Sequence, residues 1–136
     1  MPKGHSYKAY HYDMSGHVEG CIERYLELSR KDRSSLKKVA TPCIDDHLLS
    51  PEDFETKGVL KNECARIVLK VLYLARQARP DLLWSVNSLA RDVTKWNVAC
   101  DKRLHRLIAY VHHTKSWTQR CWVGDSLDKC SIVMFC

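Results

Sequence analysis

The chain has 136 residues, which is enough for one ordinary domain or for a few small subdomains. Its apolar content of 45% can form a modest core, and no run of about 18 apolar residues predicts a membrane span. Lysine and arginine outnumber aspartate and glutamate by 22 to 16, a net charge of +6. This balance favours a polyanionic partner, nucleic acid first, or else only a solvated basic surface.

The cysteines and the N-terminal residues of the chain indicate in which cellular compartment the protein is expected. There are seven cysteines, an odd number, with no Cys-x-x-Cys pair, and the first residues lack the apolar stretch of a secretion signal. These features predict free thiols and an intracellular protein, cytoplasmic or nuclear. One set of residues has the side chains of zinc ligands, namely His112, His113, Cys121 and Cys130. Their spacing fits no common zinc finger, so we expect no metal site.

The first half of the chain carries signals for one strand and three helices. Alternation with aromatic residues predicts a short strand over Lys8–Met14, and apolar residues at helical spacing predict a helix over His17–Ser29. A polar, charged surface connection follows. Ser50 then opens a Ser-Pro-Glu-Asp-Phe segment, which is typical of a helix start. Asn62 is the predicted N-cap of another helix, which continues to about Ala78.

A proline separates two amphipathic runs with almost no linker between them. Arg79 precedes Pro80 and is therefore pushed out of the α region, so the first run ends there. Pro80 suits the first position of a new helix, and Asp81 favours the positive end of the new helix dipole. The Arg79 guanidinium also lies beside the C-terminal end of the preceding helix, where cations are favoured. We interpret these three residues as a structural hinge that fixes the angle between two helices.

The last third of the chain changes from helical to alternating periodicity. A third amphipathic helix is expected over about Asn97–His113, and short connections between the three predict a small antiparallel three-helix bundle. Two β-rich runs around a Gly-Asp-Ser-Leu-Asp turn then predict a C-terminal β-hairpin that ends at Cys136. With the short N-terminal strand and helix, the predicted fold class is α+β. Trp84 and Trp96 are interpreted as core or rim packing residues.

The segment at positions 68–91, VLKVLYLARQARPDLLWSVNSLAR, resembles the Pol polyprotein of copia-type retrotransposons just after the reverse transcriptase palm. That family has V-G-S-L-L-Y-L-A-x-x-T-R-P-D there, followed by an apolar helix that ends near L-S-R. The matching residues are Val68, Leu72, Tyr73, Leu74, Ala75, Arg79, Pro80, Asp81, Val86, Leu89 and Arg91. Four further runs of residues resemble family segments and occur in the same order, namely HYDMSGHVEGCIERYLEL, VATPCID, RLIAYVHHTK and SIVMFC. The resemblance therefore covers positions 10–136.

The resemblance implies a parent protein that carries out RNA-directed DNA synthesis in transposition, and it divides the chain into three segments. Residues 1–45 resemble the end of the palm and a connector, residues 46–115 a thumb-like helical bundle, and residues 116–136 the first strands of a ribonuclease H domain. One departure lies in the best-matching segment. The family's small Gly-Ser pair is Leu69 and Lys70 in this chain.

The resemblance also implies that this chain is not itself an enzyme. The family polymerises DNA with metal-binding aspartates that include a Tyr-x-Asp-Asp turn, and no such turn occurs here. Asp45 and Asp46 are an acidic pair in the connector, and we interpret them as part of a solvated loop. The family's ribonuclease H aspartate follows the strand that SIVMFC resembles, beyond Cys136. We therefore expect no cofactor, with Mg²⁺ serving only the parent enzyme, and no small-molecule substrate.

Thumb helices of this family grip a primer–template duplex, so the resemblance implies a non-specific RNA or DNA duplex as partner, and no membrane. Two sets of residues have the composition for this role. The alternative for each set is an ordinary solvated helix face. The first set has the helical spacing i, i+4, i+7, i+11 and consists of Arg66, Lys70, Tyr73 and Gln77. The second set is a basic cluster on the third helix, formed by Lys102, Arg103 and Arg106.

Two alternatives stay open at this stage. The helix pair around Pro80 could be the helix-turn-helix of a stand-alone DNA-binding module, although its linker is shorter than the usual 3–4 residues. No recognition helix rich in arginine, asparagine and glutamine follows that proline. The other alternative is an orphan reading frame that encodes an inert protein. Strong sequence preference would favour the first alternative, and no duplex binding at low salt would favour the second.

Overall fold

A computed structural model describes residues 7–134 of the chain. Within them are five α-helices and one two-stranded antiparallel sheet, so the fold is α+β as predicted. The elements are β1 Lys8–Tyr12, α1 Ser15–Ser29, α2 Pro51–Glu55, α3 Cys64–Gln77, α4 Leu83–Arg91, α5 Val98–His113 and β2 Gln119–Val123. None of the helices in this part of the chain is long and apolar enough to cross a membrane.

The hydrophobic core lies where the four longer helices meet. α3 packs against α1 and α4, and α5 packs against the same two helices. Ile67, Val68, Val71 and Leu74 on α3 are fully buried, and this wide apolar arc allows α3 to contact two neighbours at once. Residues of α1 belong to the same buried cluster as those of α3, α4 and α5. The N-terminal helix is therefore a full member of the helical core.

Two helix N-caps are predicted from the sequence, at Ser50 and Asn62, and only the one at Ser50 is confirmed. α2 begins with a capping box in which the Asp53 carboxylate accepts the Ser50 backbone N–H at 3.0 Å. The Asn97 side chain caps α5 by accepting the Cys100 N–H at 2.9 Å. The prediction that Asn62 caps α3 is wrong. A backbone turn precedes α3 instead, and the carbonyl of Leu60 accepts the first helical N–H at 2.7 Å.

The junction between α3 and α4 has the predicted break and restart. Arg79 has a non-helical backbone with φ −133° and ψ 67°, as expected for a residue before proline. Pro80 then opens the 3₁₀ turn Pro80–Leu82, which continues directly into α4. The two helices are therefore joined by a single tight turn. Five residues, positions 78–82, separate the end of α3 from the start of α4.

The predicted C-terminal β-hairpin is wrong. β2 pairs with β1 in an antiparallel register from Lys8 opposite Val123 to Tyr12 opposite Gln119. The β1 strand directly precedes α1, and β2 follows α5, so packing of these two helices brings the distant strands together. After β2 the chain makes the short 3₁₀ turn Leu127–Lys129, and residues 130–134 form no strand. Residues 135 and 136 of the predicted second hairpin strand lie outside the described residues.

Candidate nucleic-acid interface

The outer face of α3 carries the first predicted set of residues. Arg66, Tyr73 and Gln77 are exposed on it, and Lys70 is half-buried between α3 and α1. Leu69 and Arg76 are exposed on the same face, because positions i+3 and i+10 of a helix lie beside i+4 and i+11. We call these six residues the α3 stripe. The stripe runs along the whole helix from its first turn to its last.

Tyr73 is held rigidly in the middle of the α3 stripe. Its ring meets the ring of His17 edge to face, with centroids 5.1 Å apart. His17 is fixed in turn because its Nε2 atom lies 2.9 Å from the Lys70 carbonyl oxygen. More than half of Tyr73 is nevertheless exposed, at 53%. A shallow depression of about 330 Å³ beside it is lined by Leu69, Leu72, Tyr73, Arg76 and Gln77.

The α3 stripe has an excess of positive charge that is not fully compensated. Arg66 forms an ion pair with Glu63 at 3.1 Å, and Arg66 is exposed whereas Glu63 is half-buried. Lys70 and Arg76 take part in none of the ion pairs among the described residues. Three cations and one carboxylate thus leave a net charge of +2 along the helix. Phosphates attract such a surface without any contact to bases.

The second predicted set, on α5, has a different environment. Lys102 contacts the Asp53 carboxylate at 2.6 Å, and Arg103 contacts Asp46 at 3.1 Å. Arg106 donates from Nε to the Thr41 carbonyl oxygen at 3.1 Å and from Nη2 to the Thr41 hydroxyl at 3.0 Å. Arg103 also lies 5.5 Å above the Phe54 ring. All three side chains therefore hold the segment 41–54 against α5.

This anchoring perturbs the carboxylate that Lys102 contacts. The hydrogen bond from Lys102 and the bond from the Ser50 backbone lower the pKa of Asp53 below its ordinary value of 3.8. Asp46, the partner of Arg103, belongs to the acidic pair that the sequence placed in a solvated loop. Its neighbour Asp45 accepts the His47 backbone N–H at 3.2 Å and so caps a 3₁₀ turn. Both acids of the pair therefore have local structural contacts.

Arg79, Pro80 and Asp81 form a cross-linked hinge. The buried Arg79 guanidinium donates to both Asp81 carboxylate oxygens, from Nε at 3.0 Å and from Nη2 at 2.8 Å. It also donates to the Thr114 carbonyl oxygen at 3.2 Å and to the Thr114 hydroxyl at 2.7 Å. Tyr110 completes the cluster by donating to Asp81 at 3.1 Å. The α3–α4 junction is thus fixed to the C-terminal end of α5.

Neighbouring charges and burial have opposite effects on the pKa of Asp81. Burial acts to raise the pKa of its carboxyl, but the hydrogen bonds and charge of Arg79 and the hydrogen bond from Tyr110 more than offset that effect. The pKa of Asp81 therefore lies below 3.8. Burial and the Asp81 charge raise the pKa of Tyr110, which stays a neutral donor. The hinge residues contact each other and α5, and Arg79 has almost no surface left for a ligand.

The sheet carries exposed aromatic residues on both of its faces. Arg120 lies 5.5 Å above the ring of Trp122, and Trp122 is exposed. Tyr10 and Tyr12 on β1 are exposed as well. Arg120 and Trp122, two positions apart in QRCWV, are the available signal, although the alternation of that run predicts one arm of a hairpin. Arg76 was also missed, because the spacing i, i+4, i+7, i+11 omits the neighbouring position i+10.

The described residues offer little that could hold a metal or supply a reactive thiol. No group of three or more histidine, cysteine, aspartate or glutamate residues comes together among them. His112, His113, Cys121 and Cys130 thus form no such cluster. Burial raises the pKa of the Cys21 thiol to about 12, so this cysteine stays protonated. The cysteines at positions 21, 43, 64, 100, 121 and 130 are free.

Comparison of the chain with protein-family models, with curated proteins and with solved structures finds no match. The geometry of the molecule is therefore the basis for proposing what the chain binds. That geometry separates a basic, aromatic stripe on α3, which faces solvent, from a basic cluster on α5, which anchors the chain to itself. Of the two predicted sets, the α3 stripe has the more accessible surface for a ligand.

Proposed function

We propose that this chain is a segment of a copia-type retrotransposon Pol protein, running from the end of the palm through a thumb-like antiparallel bundle toward ribonuclease H. In this proposal it binds RNA or DNA duplexes through the α3 stripe, by their phosphate backbone and without reading sequence. The residue matches at positions 68–91 support the parentage. The place of Arg79, Pro80 and Asp81 in a cross-linked junction supports the interpretation of that motif as structural.

The observation that carries the binding proposal is the composition and exposure of the α3 stripe. It combines three cations with an exposed tyrosine in a fixed orientation, and its depression has room for a backbone group. Lysine and arginine neutralise phosphates, and the tyrosine hydroxyl can donate to a phosphate oxygen. In this proposal Arg66, Lys70 and Arg76 contact phosphates rather than base edges, so we expect no sequence preference. Weak, salt-sensitive binding is expected.

The proposal assigns no catalysis to the chain. Phosphoryl transfer by this family needs carboxylates that converge on Mg²⁺, and the sequence lacks the Tyr-x-Asp-Asp turn. Asp45 and Asp46 contact His47 and Arg103, which supports a structural role for the acidic pair. We therefore expect that the purified chain does not extend a primer on an RNA template with Mg²⁺ and nucleotides. Extension that increases with protein concentration would contradict this part of the proposal.

The binding proposal is tested by fluorescence anisotropy with two RNA–DNA hybrid duplexes of unrelated sequence. The wild-type chain should bind both with equal affinity. A triple variant of the stripe, Arg66→Gln with Lys70→Gln and Arg76→Gln, should bind both at least about tenfold more weakly. The matched control removes three exposed lysines outside α3, by Lys38→Gln, Lys57→Gln and Lys129→Gln.

The control separates a specific surface from the overall charge, because both variants lower the net charge by three. If the two variants lose affinity equally, the α3 stripe has no special role and only the basic composition acts. If wild type strongly prefers one duplex, the stand-alone DNA-binding module is favoured instead. An unchanged circular dichroism spectrum for each variant shows that the fold is retained.

A further inference from the structure

A cavity of about 530 Å³ opens between α1, the connector and α5. It lies within the size range of small-molecule sites, about 300–1,000 Å³. Six aliphatic side chains line it, and they come from the connector, from the loop between α2 and α3, and from α5, namely Val39, Ile44, Val59, Leu60, Val98 and Ala109. None of the lining residues belongs to α3, so the cavity and the α3 stripe are separate surfaces.

Tyr25 and His105 in the cavity wall are hydrogen-bonded and neutral, whereas the buried Ser29 Oγ beside them has no hydrogen-bond partner among the described residues. The Tyr25 hydroxyl and the Nδ1 atom of His105 lie 2.7 Å apart, and the Nε2 atom of His105 lies 3.2 Å from the Ser35 carbonyl oxygen. The carbonyl can only accept, so Nε2 carries the proton and Nδ1 accepts from Tyr25. Burial and the charge of Lys31 lower the pKa of His105, although the Ser35 carbonyl opposes this. Tyr25 and His105 therefore add no charge to the cavity wall.

The mouth of the cavity is positively charged. Lys31 and Lys37 line it and are exposed, whereas Leu60 and Ala109 are buried in its floor. Arg106 lines it as well, and its two contacts to Thr41 are with neutral oxygens. These three cations take part in none of the ion pairs among the described residues. Their charge is therefore available to a ligand.

One carboxylate also lines the cavity, but its oxygens are already occupied. Asp101 accepts the backbone N–H groups of Val59 at 2.6 Å and Leu60 at 3.2 Å, and the Trp96 indole N–H at 2.7 Å. Lys102 is a fourth cation in the wall, and Asp53 compensates it. The three uncompensated cations outnumber this carboxylate by two. The cavity thus combines an apolar floor with a mouth that attracts anions.

We propose that this cavity binds a small organic acid with one carboxylate and an apolar body, its body on the aliphatic floor and its carboxylate between Lys31, Lys37 and Arg106. A long-chain alcohol lacks the charge for the mouth, and an inorganic anion lacks the body for the floor. The exposed position of the lysines and the buried position of Leu60 and Ala109 set this orientation. The site is independent of the duplex-binding proposal, because it uses no residue of the α3 stripe.

The test is an NMR titration of the full chain with decanoate below its micelle-forming concentration, beside decan-1-ol and inorganic phosphate as matched probes. Decanoate should cause saturable shifts of the Val39, Leu60 and Ala109 amides. Decan-1-ol and phosphate should each bind at least about tenfold more weakly. The absence of saturable shifts at these amides, or equal binding of decan-1-ol, would overturn the proposal.

Two variants locate the site. Lys31→Gln with Lys37→Gln should weaken decanoate binding about tenfold and leave decan-1-ol binding unchanged. The control is Lys38→Gln, an exposed neighbour that does not line the cavity, and it should bind like wild type. Val39→Trp fills the cavity and should abolish binding. If Val39→Trp fails to fold, the lysine variants still test the site. Equal losses of decanoate affinity in Lys38→Gln and in the lysine pair would refute it.

Discussion

The two basic faces of this protein have similar composition and opposite surroundings. On α3, Lys70 and Arg76 have no carboxylate partner among the described residues, and the face is open to solvent. On α5, Lys102, Arg103 and Arg106 all reach across to the segment 41–54. The difference lies in what packs beside each helix. A connector with acids and carbonyl oxygens covers the basic face of α5, and nothing comparable in the described chain covers α3.

This comparison shows why a basic helix face cannot be assigned to nucleic acid from its spacing alone. Each set is a group of basic residues on one helix, and both have a structural and a functional interpretation. Cations with internal partners contribute to stability, whereas cations without partners contribute little to stability and much to long-range attraction. Mutations should therefore divide the molecule into residues that affect unfolding and residues that affect binding.

The largest expected effect comes from two arginines that are three residues apart. Arg79→Leu removes a buried cation and leaves Asp81 and Thr114 without their donors, so it should destabilise the fold by about 3 kcal/mol. Arg76→Leu, on the exposed stripe, should change the free energy of unfolding by less than about 0.5 kcal/mol. Urea unfolding measures both. Equal effects would contradict the division between the hinge and the stripe.

Two glycines, one beside each basic face, should respond to alanine in opposite ways. At Gly58 a Cβ would lie 2.6 Å from the Asn97 carbonyl oxygen and 2.6 Å from the Trp96 ring, so Gly58→Ala should destabilise by about 2 kcal/mol.

At Gly20, inside α1, the nearest atom to an added Cβ is the flexible Lys70 Nζ at 3.0 Å. The ammonium can move, and alanine is the better helix former, so Gly20→Ala should stabilise by about 0.5–1 kcal/mol. Thermal unfolding of the two variants against wild type compares them directly. A destabilised Gly20→Ala variant would contradict this expectation, because it would mean that the Lys70 side chain cannot move away from the added methyl group.

A smaller difference is expected between the two basic sets themselves. The triple variant Lys102→Gln, Arg103→Gln and Arg106→Gln should lose about 1–2 kcal/mol, because its members are partly exposed and their pairs are only modestly stabilising. The triple variant of the α3 stripe should stay within about 0.5 kcal/mol of wild type. Urea unfolding at neutral pH gives both values. A larger loss on α3 than on α5 would reverse the assignment of the two faces.

The smallest expected effect is on the dependence of folding stability on acidic pH. The pKa of Asp81 is lower in the folded protein than its ordinary value of 3.8. The ionised carboxylate therefore makes its full contribution to the free energy of unfolding above that pH. The contribution is lost as the pH falls below 3.8 and through the lower pKa of the folded state. Asp81→Asn should therefore make stability less dependent on pH between pH 5 and pH 3, whatever its stability at pH 7. The exposed Asp125→Asn is the control and should keep the wild-type pH dependence.

Local sequence signals predicted much of the helical frame. Residue spacing gave α3 and α5 to within two residues, and Pro80 marked the junction, because apolar periodicity and proline geometry act over a few residues. Asn97 capped α5, but Asn62 did not cap α3, since a backbone turn there supplied the acceptor. Signals of this kind report what a residue can do locally. They do not report which local partner is used.

The features that sequence did not predict all depend on distant contacts. β2 pairs with β1 more than 100 positions away, which no turn signal indicates. Trp84 is 71% exposed although Trp96 is buried as expected, because only the packing of α4 decides which side of the helix faces solvent. The contacts of Arg106 with Thr41 and the cavity behind them also require the connector to fold over α5.

The most direct test of the central claim is the salt dependence of duplex affinity between about 50 mM and about 200 mM salt. Each lost phosphate contact lowers the slope of log affinity against log salt by about 1. The α3 triple variant should therefore have a slope smaller by about 2–3 than wild type, and the α5 triple variant should keep the wild-type slope. A normal slope in the α3 variant with a reduced slope in the α5 variant would contradict the account.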